Sequence, residues 1–200
     1  MTLRTWLGVA AFLLCGSFAA RADMISDLSK EEIAKLMAGE MIVSGKDMPT
    51  GGWPQVTVYT FVKAPVDVIE GVLRDYEHAQ DFQPGLVSAK VISHPSPDVY
   101  EVEYTSKLPM FGTTTYTMRN TFKNVDNGFE VTWKLVKSSM AEISDGSLRA
   151  EPYKDGSIFR YVNYVKPKSS IAMIAKNAAL GEAKKTVSEL KAEAEKRAKD

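Results

Sequence analysis

The segment APVDVIEGVLRDYEHAQDFQPGLVSAKVI, residues 64–92, predicts a helix that is followed by a tight turn and a strand. The helix begins at Ala64-Pro65, because proline fits the first turn of a helix. Apolar residues then recur at roughly helical spacing, and they are Ile69, Val72, Leu73, Tyr76 and Phe82. Pro84-Gly85 ends the helical pattern, and the run LVSAKVIS at residues 86–93 predicts a strand.

Further strands precede and follow this segment. VTVYTFV at residues 56–62 is a β-branched and aromatic run. After the helix, Asp126-Asn127-Gly128 is a hairpin signal, because Asn-Gly tolerates positive φ. Sequential strands that are joined by short turns predict an antiparallel meander. The seven predicted strands cover residues 56–62, 86–93, 99–106, 113–123, 129–137, 144–152 and 157–165.

A long helix is predicted after Pro167, starting near Ser169. Its best apolar stripe consists of Leu180, Ala183, Val187, Leu190 and Ala194. One antiparallel sheet cannot bury a face alone, and this helix is its natural cover. The sequence therefore predicts an α+β domain in which a seven-stranded antiparallel sheet packs against a long C-terminal helix.

The alternation within each strand identifies the face of the sheet that lies inside. Glu101, Glu103, Arg119 and Arg160 define the outer face, because charged groups are almost never buried unpaired. The opposite face carries several phenols and amides, and each costs about 1–3 kcal/mol when it is buried without a partner. We therefore predict a cavity for water or ligand, lined from the strands by Tyr104, Tyr116, Met118, Asn120, Trp133, Tyr161 and Asn163.

The helix that faces this set begins SSIAMIAKNAALGEA at residue 169 and is rich in small side chains. Small side chains opposite a sheet fill space poorly, so we expect the helix to close a cavity with Ile171, Ile174, Asn177 and Ala178. The alternative is that the small residues let the helix pack closely on the sheet while the tyrosines form hydrogen bonds at the rim.

The loop at residues 107–112 carries three large apolar side chains, those of Leu108, Met110 and Phe111, and Pro109 stiffens it. Such side chains are unexpected on a connection that runs over the surface. One interpretation is a lid whose tip caps the cavity or makes a transient contact with a membrane. The other is that Met110 and Phe111 fold back onto the core.

The N-terminus has the three parts of a secretory signal peptide. Arg4 supplies the positive charge, residues 6–20 form an uncharged apolar run, and Ala20-Arg21-Ala22 is the cleavage site. This run is shorter than the roughly 20 residues that span a membrane. We expect cleavage after Ala22 and a secreted, periplasmic protein.

The predicted division of the chain has three parts. Residues 1–22 form the signal peptide, residues 23–53 form an N-terminal helix and a Gly/Pro loop, and residues 54–200 form the main domain. Ser26 or Ser29 caps the short helix, and SGKDMPTGGWP at residues 44–54 is the loop.

Composition excludes several classes of function. The 200 residues are 44% hydrophobic, and 25 basic residues balance 25 acidic residues, so nothing suggests a nucleic-acid partner. One cysteine cannot form a disulfide framework or a Cys-rich zinc site, and two histidines cannot form a His-only metal triad. No cofactor or metal is expected, and we expect a monomer.

Several residues of the opening segment carry a resemblance to a known superfamily. Ala64-Pro65 together with Leu73, Asp75, Tyr76, Phe82, Pro84 and Ser88 resembles the pattern of the START, polyketide-cyclase and birch-allergen (SRPBCC) superfamily. The resemblance covers about residues 54–195 and is moderately specific for the fold. It implies the helix-grip fold, in which a curved sheet grips the C-terminal helix around a cavity for lipids, sterols, polyketides or quinones.

The residues favour a binding protein over an enzyme but leave catalysis open. Residues 23–200 contain no cysteine, and neither His78 nor His94 falls on an inward strand face, so an activated nucleophile has no support. We predict that the protein binds a hydrophobic, lipid-like molecule. The alternatives are a cyclase that uses Tyr116, Asn120, Tyr161 and Asn163 as donors, and a module that binds a protein partner through residues 24–50.

Overall fold

The computed structural model describes residues 24–108, 112–168 and 176–199. A 3₁₀ turn at Met24–Asp27 is followed by four helices and eight strands within these residues. The helices are α1 (Lys30–Met37), α2 (Val66–Arg74), α3 (Ala79–Phe82) and α4 (Lys176–Arg197). The strands are β1 (Ile42–Lys46), β2 (Gln55–Val62), β3 (Leu86–Ser96), β4 (Val99–Leu108), β5 (Gly112–Val125), β6 (Gly128–Ser138), β7 (Ala141–Tyr153) and β8 (Gly156–Pro167).

The described strands form one antiparallel sheet in the order β1-β2-β8-β7-β6-β5-β4-β3. The meander from β3 to β8 is confirmed, and α2 and α3 carry the chain from β2 to the far edge. The predicted number of seven strands is wrong, because β1 pairs with β2 from Ile42↔Tyr59 to Lys46↔Gln55. The apolar run Met41-Ile42-Val43 is too short to indicate a strand. The exposed edge of β2 supplies the hydrogen bonds that make β1 a strand.

The predicted inner face of the sheet is the face that packs towards α4. Met118, Asn120 and Phe122 on β5 are buried, whereas Arg119 between them is exposed and pairs with Glu101 on the outer face, with 2.6 Å between Nη2 and Oε1. On α4 the predicted stripe is also confirmed, because its buried residues are Ala183, Val187, Leu190 and Ala194. These side chains join the main hydrophobic core with β2 and α2.

The outer face of the sheet carries a second, smaller core. Met24 and Leu36 from the N-terminal segment pack there against Phe61 and Ile158. Ser29 begins α1 with a capping box, in which its hydroxyl accepts from the backbone N–H of Glu32 while the Glu32 carboxylate accepts from the N–H of Ser29. The apolar face of this segment is therefore buried against the chain's own sheet.

Hydrogen bonds from α4 to the end of β2 fix the position of the helix. Lys191 Nζ donates to the carbonyl of Phe61 at 2.6 Å, and the Glu195 carboxylate accepts from the backbone N–H of Lys63 at 2.9 Å. The predicted start of the helix near Ser169 lies outside the described residues. Within the ranges described above, no helix is both long and apolar enough to cross a membrane.

Candidate functional site

A cavity of about 270 Å³ lies between the inner face of the sheet and the helices. The sheet contributes one wall, α4 contributes another, and the segment from α2 to the start of β3 contributes a third. The described residues that line it are Leu73, Tyr76, Gln83, Pro84, Leu86, Tyr104, Ser106, Tyr116, Met118, Asn120, Phe122, Val131, Trp133, Ser144, Leu148, Tyr161, Asn163, Thr186 and Leu190.

The structure brings the predicted strand residues together around this cavity. They come from β4, β5, β6 and β8, and they meet because the side chains of alternate residues point to the same face of a sheet. These seven residues are Tyr104, Tyr116, Met118, Asn120, Trp133, Tyr161 and Asn163. Their arrangement around one space is an observation, and their role in binding a ligand stays a prediction.

The other predicted site residues fall where the structure gives no side chains. Ile171 and Ile174 lie outside the described residues, and the side chains of Asn177 and Ala178 in α4 are outside them as well. The predicted lid, Pro109, Met110 and Phe111, also lies outside them. The described part of α4 contributes Thr186 and Leu190 to the lining.

Several lining residues were not predicted from the sequence. Tyr76 and Gln83 come from the segment around α3, which the sequence indicated only as the end of a helix. Gly146 is not itself a lining residue, but its contact with Trp133 explains why it is glycine. It lies between Trp133 and Asn163 in the register of β6, β7 and β8, and a Cβ there would come within 2.4 Å of the Trp133 indole. Glycine at this position therefore lets the indole lie against β7.

Hydrogen bonds pair many of the polar groups of the lining. Asn120 Nδ2 donates to the Tyr104 hydroxyl at 3.1 Å, and Trp133 Nε1 donates to Asn163 Oδ1 at 3.2 Å, across Gly146. A third pair joins the hydroxyls of Ser106 and Tyr116, 3.2 Å apart. The alternative interpretation expected hydrogen-bonded tyrosines and close packing of α4 on the sheet. The hydrogen bonds are present, but a cavity is present beside them.

The Tyr76 hydroxyl is buried and lies outside these pairs. Tyr76 is 7% exposed, and its hydroxyl has no hydrogen-bond partner among the described residues. It is close enough to Asn120 for that amide to lower its pKa, but burial dominates and raises the pKa. A buried hydroxyl without a partner costs about 1–3 kcal/mol, so this position carries a cost to stability that packing alone does not explain.

Burial also keeps the remaining phenols of the cavity uncharged. Desolvation raises the pKa of Tyr104 well above its ordinary value, and it raises the pKa of Tyr116 and of Tyr161. At neutral pH these groups are therefore neutral donors and acceptors. The lining offers hydrogen bonds and apolar surface without a formal charge.

A smaller cavity of about 110 Å³ adjoins the first. The two cavities share Tyr161, Asn163 and Thr186, so these side chains separate them. The other residues of the smaller cavity are Trp53, Pro54, Val56, Val165, Ala179, Glu182 and Ala183.

Asp75 and the two histidines lie outside the lining. His78 is exposed, and its Nδ1 is 2.8 Å from Asp75 Oδ1, while Asp75 Oδ2 pairs with Arg197 of α4 at 2.9 Å. His94 is exposed and stacks on Tyr100, with 4.1 Å between ring centroids. Asp75 therefore links the end of α2 to α4.

No protein-family model matches the sequence, and no curated protein matches it either. Solved structures do match the fold. The STAR-related lipid transfer protein from Xanthomonas axonopodis superposes with a TM-score of 0.70 at 14% identity, covering 77% of this chain and 93% of that chain. Human STARD10 has a TM-score of 0.64 at 10% identity, covering 77% and 68%.

An enzyme is among the matching structures. The Zhui aromatase/cyclase from Streptomyces sp. R1128 has a TM-score of 0.62 at 14% identity and covers 72% of this chain and 94% of that chain. At these identities the likeness concerns the fold. The chain therefore has the same fold as these structures, and the helix-grip fold that the sequence resemblance implied is confirmed.

Proposed function

We propose that this protein binds a hydrophobic, lipid-like small molecule in the cavity between the sheet and α4. The observation that carries the proposal is the cavity itself, about 270 Å³ in volume and lined by apolar, aromatic and uncharged polar side chains. Ligand sites are usually concave and mostly apolar, with a few polar groups that orient the ligand. The fold is shared with a structure of a protein named for lipid transfer, which supports the same proposal.

The energetics of the cavity favour an apolar ligand. Each Å² of apolar surface that leaves water contributes about 25 cal/mol, and both ligand and lining lose such surface on binding. Met118, Phe122 and Leu148 supply this surface on the sheet, and Leu190 supplies it on α4. A bound ligand would therefore supply packing contacts to these side chains that the rest of the described chain does not supply.

The test fills the cavity from α4 and compares two substitutions on the same helix. Thr186→Trp places an indole where the two cavities meet, whereas Ser188→Trp places one on the exposed side. The proteins are purified under identical conditions, and bound molecules are identified by native mass spectrometry and solvent extraction. We expect an apolar molecule in the wild type and in Ser188→Trp, and its loss in Thr186→Trp.

The result that would contradict binding is equally specific. If the wild type carries no apolar molecule and takes up none from a lipid extract, the cavity is not a ligand site. If Thr186→Trp retains the molecule with wild-type stability, the ligand lies elsewhere on the protein.

A second candidate function is the cyclisation of a polyketide-like substrate. The observation that favours it is the set of neutral donors around the cavity, together with a fold match to an aromatase/cyclase. Turnover of a poly-β-ketone, lost in Asn120→Leu, would support an enzyme. Stoichiometric release of unchanged ligand would support the binding protein.

The third hypothesis, a partner-binding module at residues 24–50, has less support. Met24 and Leu36 are buried against the chain's own sheet, so this apolar surface is not available to a partner. Loss of a stoichiometric partner on removal of residues 24–50 would restore that hypothesis.

We also propose that the protein is exported to the periplasm after cleavage of residues 1–22. The support is the sequence pattern of a charged start, an apolar run and the Ala20-Arg21-Ala22 site. N-terminal sequencing of exported protein should begin at Asp23. An N-terminus at Met1, or a lipid on Cys15, would contradict this proposal.

A further inference from the structure

The cavity wall formed by the segment between α2 and α3 contains a buried polar group without a hydrogen bond to any described residue. Tyr76 lines the cavity and is almost fully buried, and its hydroxyl has no hydrogen-bond partner among the described residues. The hydroxyls of Tyr104 and Tyr116 do have partners, which are Asn120 and Ser106 respectively. The Tyr76 hydroxyl is therefore a buried polar group of the lining that could bond a ligand.

A second donor lies close to this hydroxyl. Asn120 donates to the oxygen of Tyr104, so the hydroxyl hydrogen of Tyr104 remains available to donate. Tyr76 is close enough to Tyr104 to raise its pKa, and Asn120 lies close to both hydroxyls. Two phenol hydrogens thus remain available next to one amide.

The chemistry of this cluster selects the kind of ligand group that fits it. A carbonyl oxygen has two lone pairs and no hydrogen, so it can accept from two donors at once. A carboxylate could also accept, but it would carry a charge into surroundings where burial already raises the pKa of the phenols, and an unpaired buried charge is costly. An uncharged carbonyl is the better match.

We infer that Tyr76, with Tyr104 and Asn120, is the polar anchor for the carbonyl oxygen of an uncharged, otherwise apolar ligand. The inference rests on the proposed binding function and narrows it to a class of ligand, such as ketones, quinones and esters. It also assigns a reason to the unpaired hydroxyl, because a ligand oxygen would supply the missing partner.

The experiment uses a matched pair of dyes and the full-length protein. The naphthyl ketone dye Prodan carries a carbonyl whose emission shifts to the red when it accepts hydrogen bonds, and dimethylaminonaphthalene is its counterpart without the ketone. Both dyes are titrated into the wild type, Tyr76→Phe and Tyr100→Phe. Tyr100 is the matched control, because its ring packs on Tyr76 at 5.4 Å while its hydroxyl accepts from Arg74.

We expect Tyr76→Phe to weaken binding of the ketone dye about fivefold, as the loss of one net hydrogen bond predicts, and to leave the other dye unchanged. The emission of the bound ketone should also shift to the blue. Tyr100→Phe should change neither dye. In the absence of dye, Tyr76→Phe should melt at or above the wild-type temperature, because it removes an unpaired hydroxyl; a purely structural tyrosine would lower it.

The outcomes separate this inference from the proposed function. If both dyes bind to the wild type and Tyr76→Phe affects them equally, the cavity binds apolar molecules and the anchor is wrong. If an anionic naphthoate binds more tightly than the ketone, the preference for an uncharged ligand is wrong. If neither dye binds to the wild type, both the anchor and the apolar binding site are contradicted.

Discussion

The two faces of the same sheet are used in opposite ways. On the outer face, Met24 and Leu36 pack against Phe61 and Ile158, and the chain fills the space with its own side chains. On the inner face, α4 covers the sheet but leaves about 270 Å³ between them. The outer face is filled by the chain's own side chains, whereas the inner face holds the main core and also leaves a space beside it. Substitutions on the two faces should therefore separate stability from binding.

The largest expected effect is on the outer face, at Glu151. Its side chain is fully buried and pairs with Arg149 at 2.5 Å, and it also accepts from the backbone N–H of Met24 at 3.1 Å. Glu151→Gln leaves the arginine charge poorly compensated, so we expect a loss of about 3–5 kcal/mol in the free energy of unfolding, measured with urea.

A glutamate on the same strand provides the control for this substitution. Glu142 pairs with Lys166 at 2.9 Å but is largely exposed, so Glu142→Gln should cost less than about 1 kcal/mol. Equal effects at the two positions would show that the outer face is no more tightly packed than the surface.

The second prediction compares the two faces directly. Ile158→Ala on the outer face should cost about 3 kcal/mol, because a fully buried side chain loses contacts on all sides. Met118→Ala should cost less, about 2 kcal/mol, because this side chain already borders a cavity and has fewer packing partners to lose. Urea unfolding measures both, and the ligand content of Met118→Ala should fall while that of Ile158→Ala should not.

A larger cost for Met118→Ala than for Ile158→Ala would contradict the comparison. The inner face would then be packed as tightly as the outer one. Val136→Ala serves as the exposed reference on β6, and we expect it to leave stability unchanged.

The third prediction concerns pH and the contact that holds α4 beside the cavity. The hydrogen bond to Asp75 raises the pKa of His78, so this group stabilises the fold below about pH 6.5 and loses that contribution as pH rises through its folded pKa. Burial opposes ionisation of Asp75, but the hydrogen bonds from His78 and Arg197 outweigh it and lower the pKa of Asp75. The carboxylate contribution is present above about pH 4 and is lost in acid.

The ion pair of His78 and Asp75 should therefore stabilise the fold most between about pH 4 and about pH 6.5. We expect His78→Ala to lower the melting temperature by a small amount near pH 5.5 and by less near pH 8. In an Asp75→Asn background the effect of His78→Ala should disappear at both pH values. A difference in melting temperature that grows towards pH 8 would contradict the predicted pH dependence of the His78–Asp75 pair.

The smallest effect on stability is expected at the predicted lid. Met110→Ser combined with Phe111→Ser should leave the melting temperature nearly unchanged and slow the transfer of a fluorescent lipid between vesicles. Burial of two such side chains in a membrane would gain about 1.5–3 kcal/mol each, which is enough for transient docking. A large drop in melting temperature would instead place these side chains in the core, and the lid would be wrong.

Much of the fold could be predicted because its signals are local. Seven strands, the helix at Ala64-Pro65 and the apolar stripe of α4 each follow from a period of two or of about 3.6 within a short segment. Strand β1 could not be predicted in this way, because Ile42 and Val43 become a strand only when the edge of β2 bonds to them. The second core under α1 was missed for the same reason, since it requires both faces of the sheet to be known.

The residues of the candidate site also fall into a group that local patterns predict and a group that they do not. Alternation alone placed Tyr104, Asn120 and Trp133 on one face, because neighbouring side chains on a strand must point to opposite sides. The sequence could not show that Tyr76 would join them, or that its hydroxyl would remain unpaired, because this depends on where α2 ends relative to β5. The fit of the Trp133 indole over Gly146 is likewise decided by the register of three strands.

By itself, the sequence determined which side chains share a face, because the direction of a side chain follows from backbone periodicity over a few residues. Only the tertiary structure decided how far α4 stands from the sheet, and hence that a cavity remains between them. That distance is set by contacts between residues far apart in the chain, such as Lys191 with Phe61 and Arg197 with Asp75. No local pattern encodes such contacts, because each needs both partners to be in place before it can form.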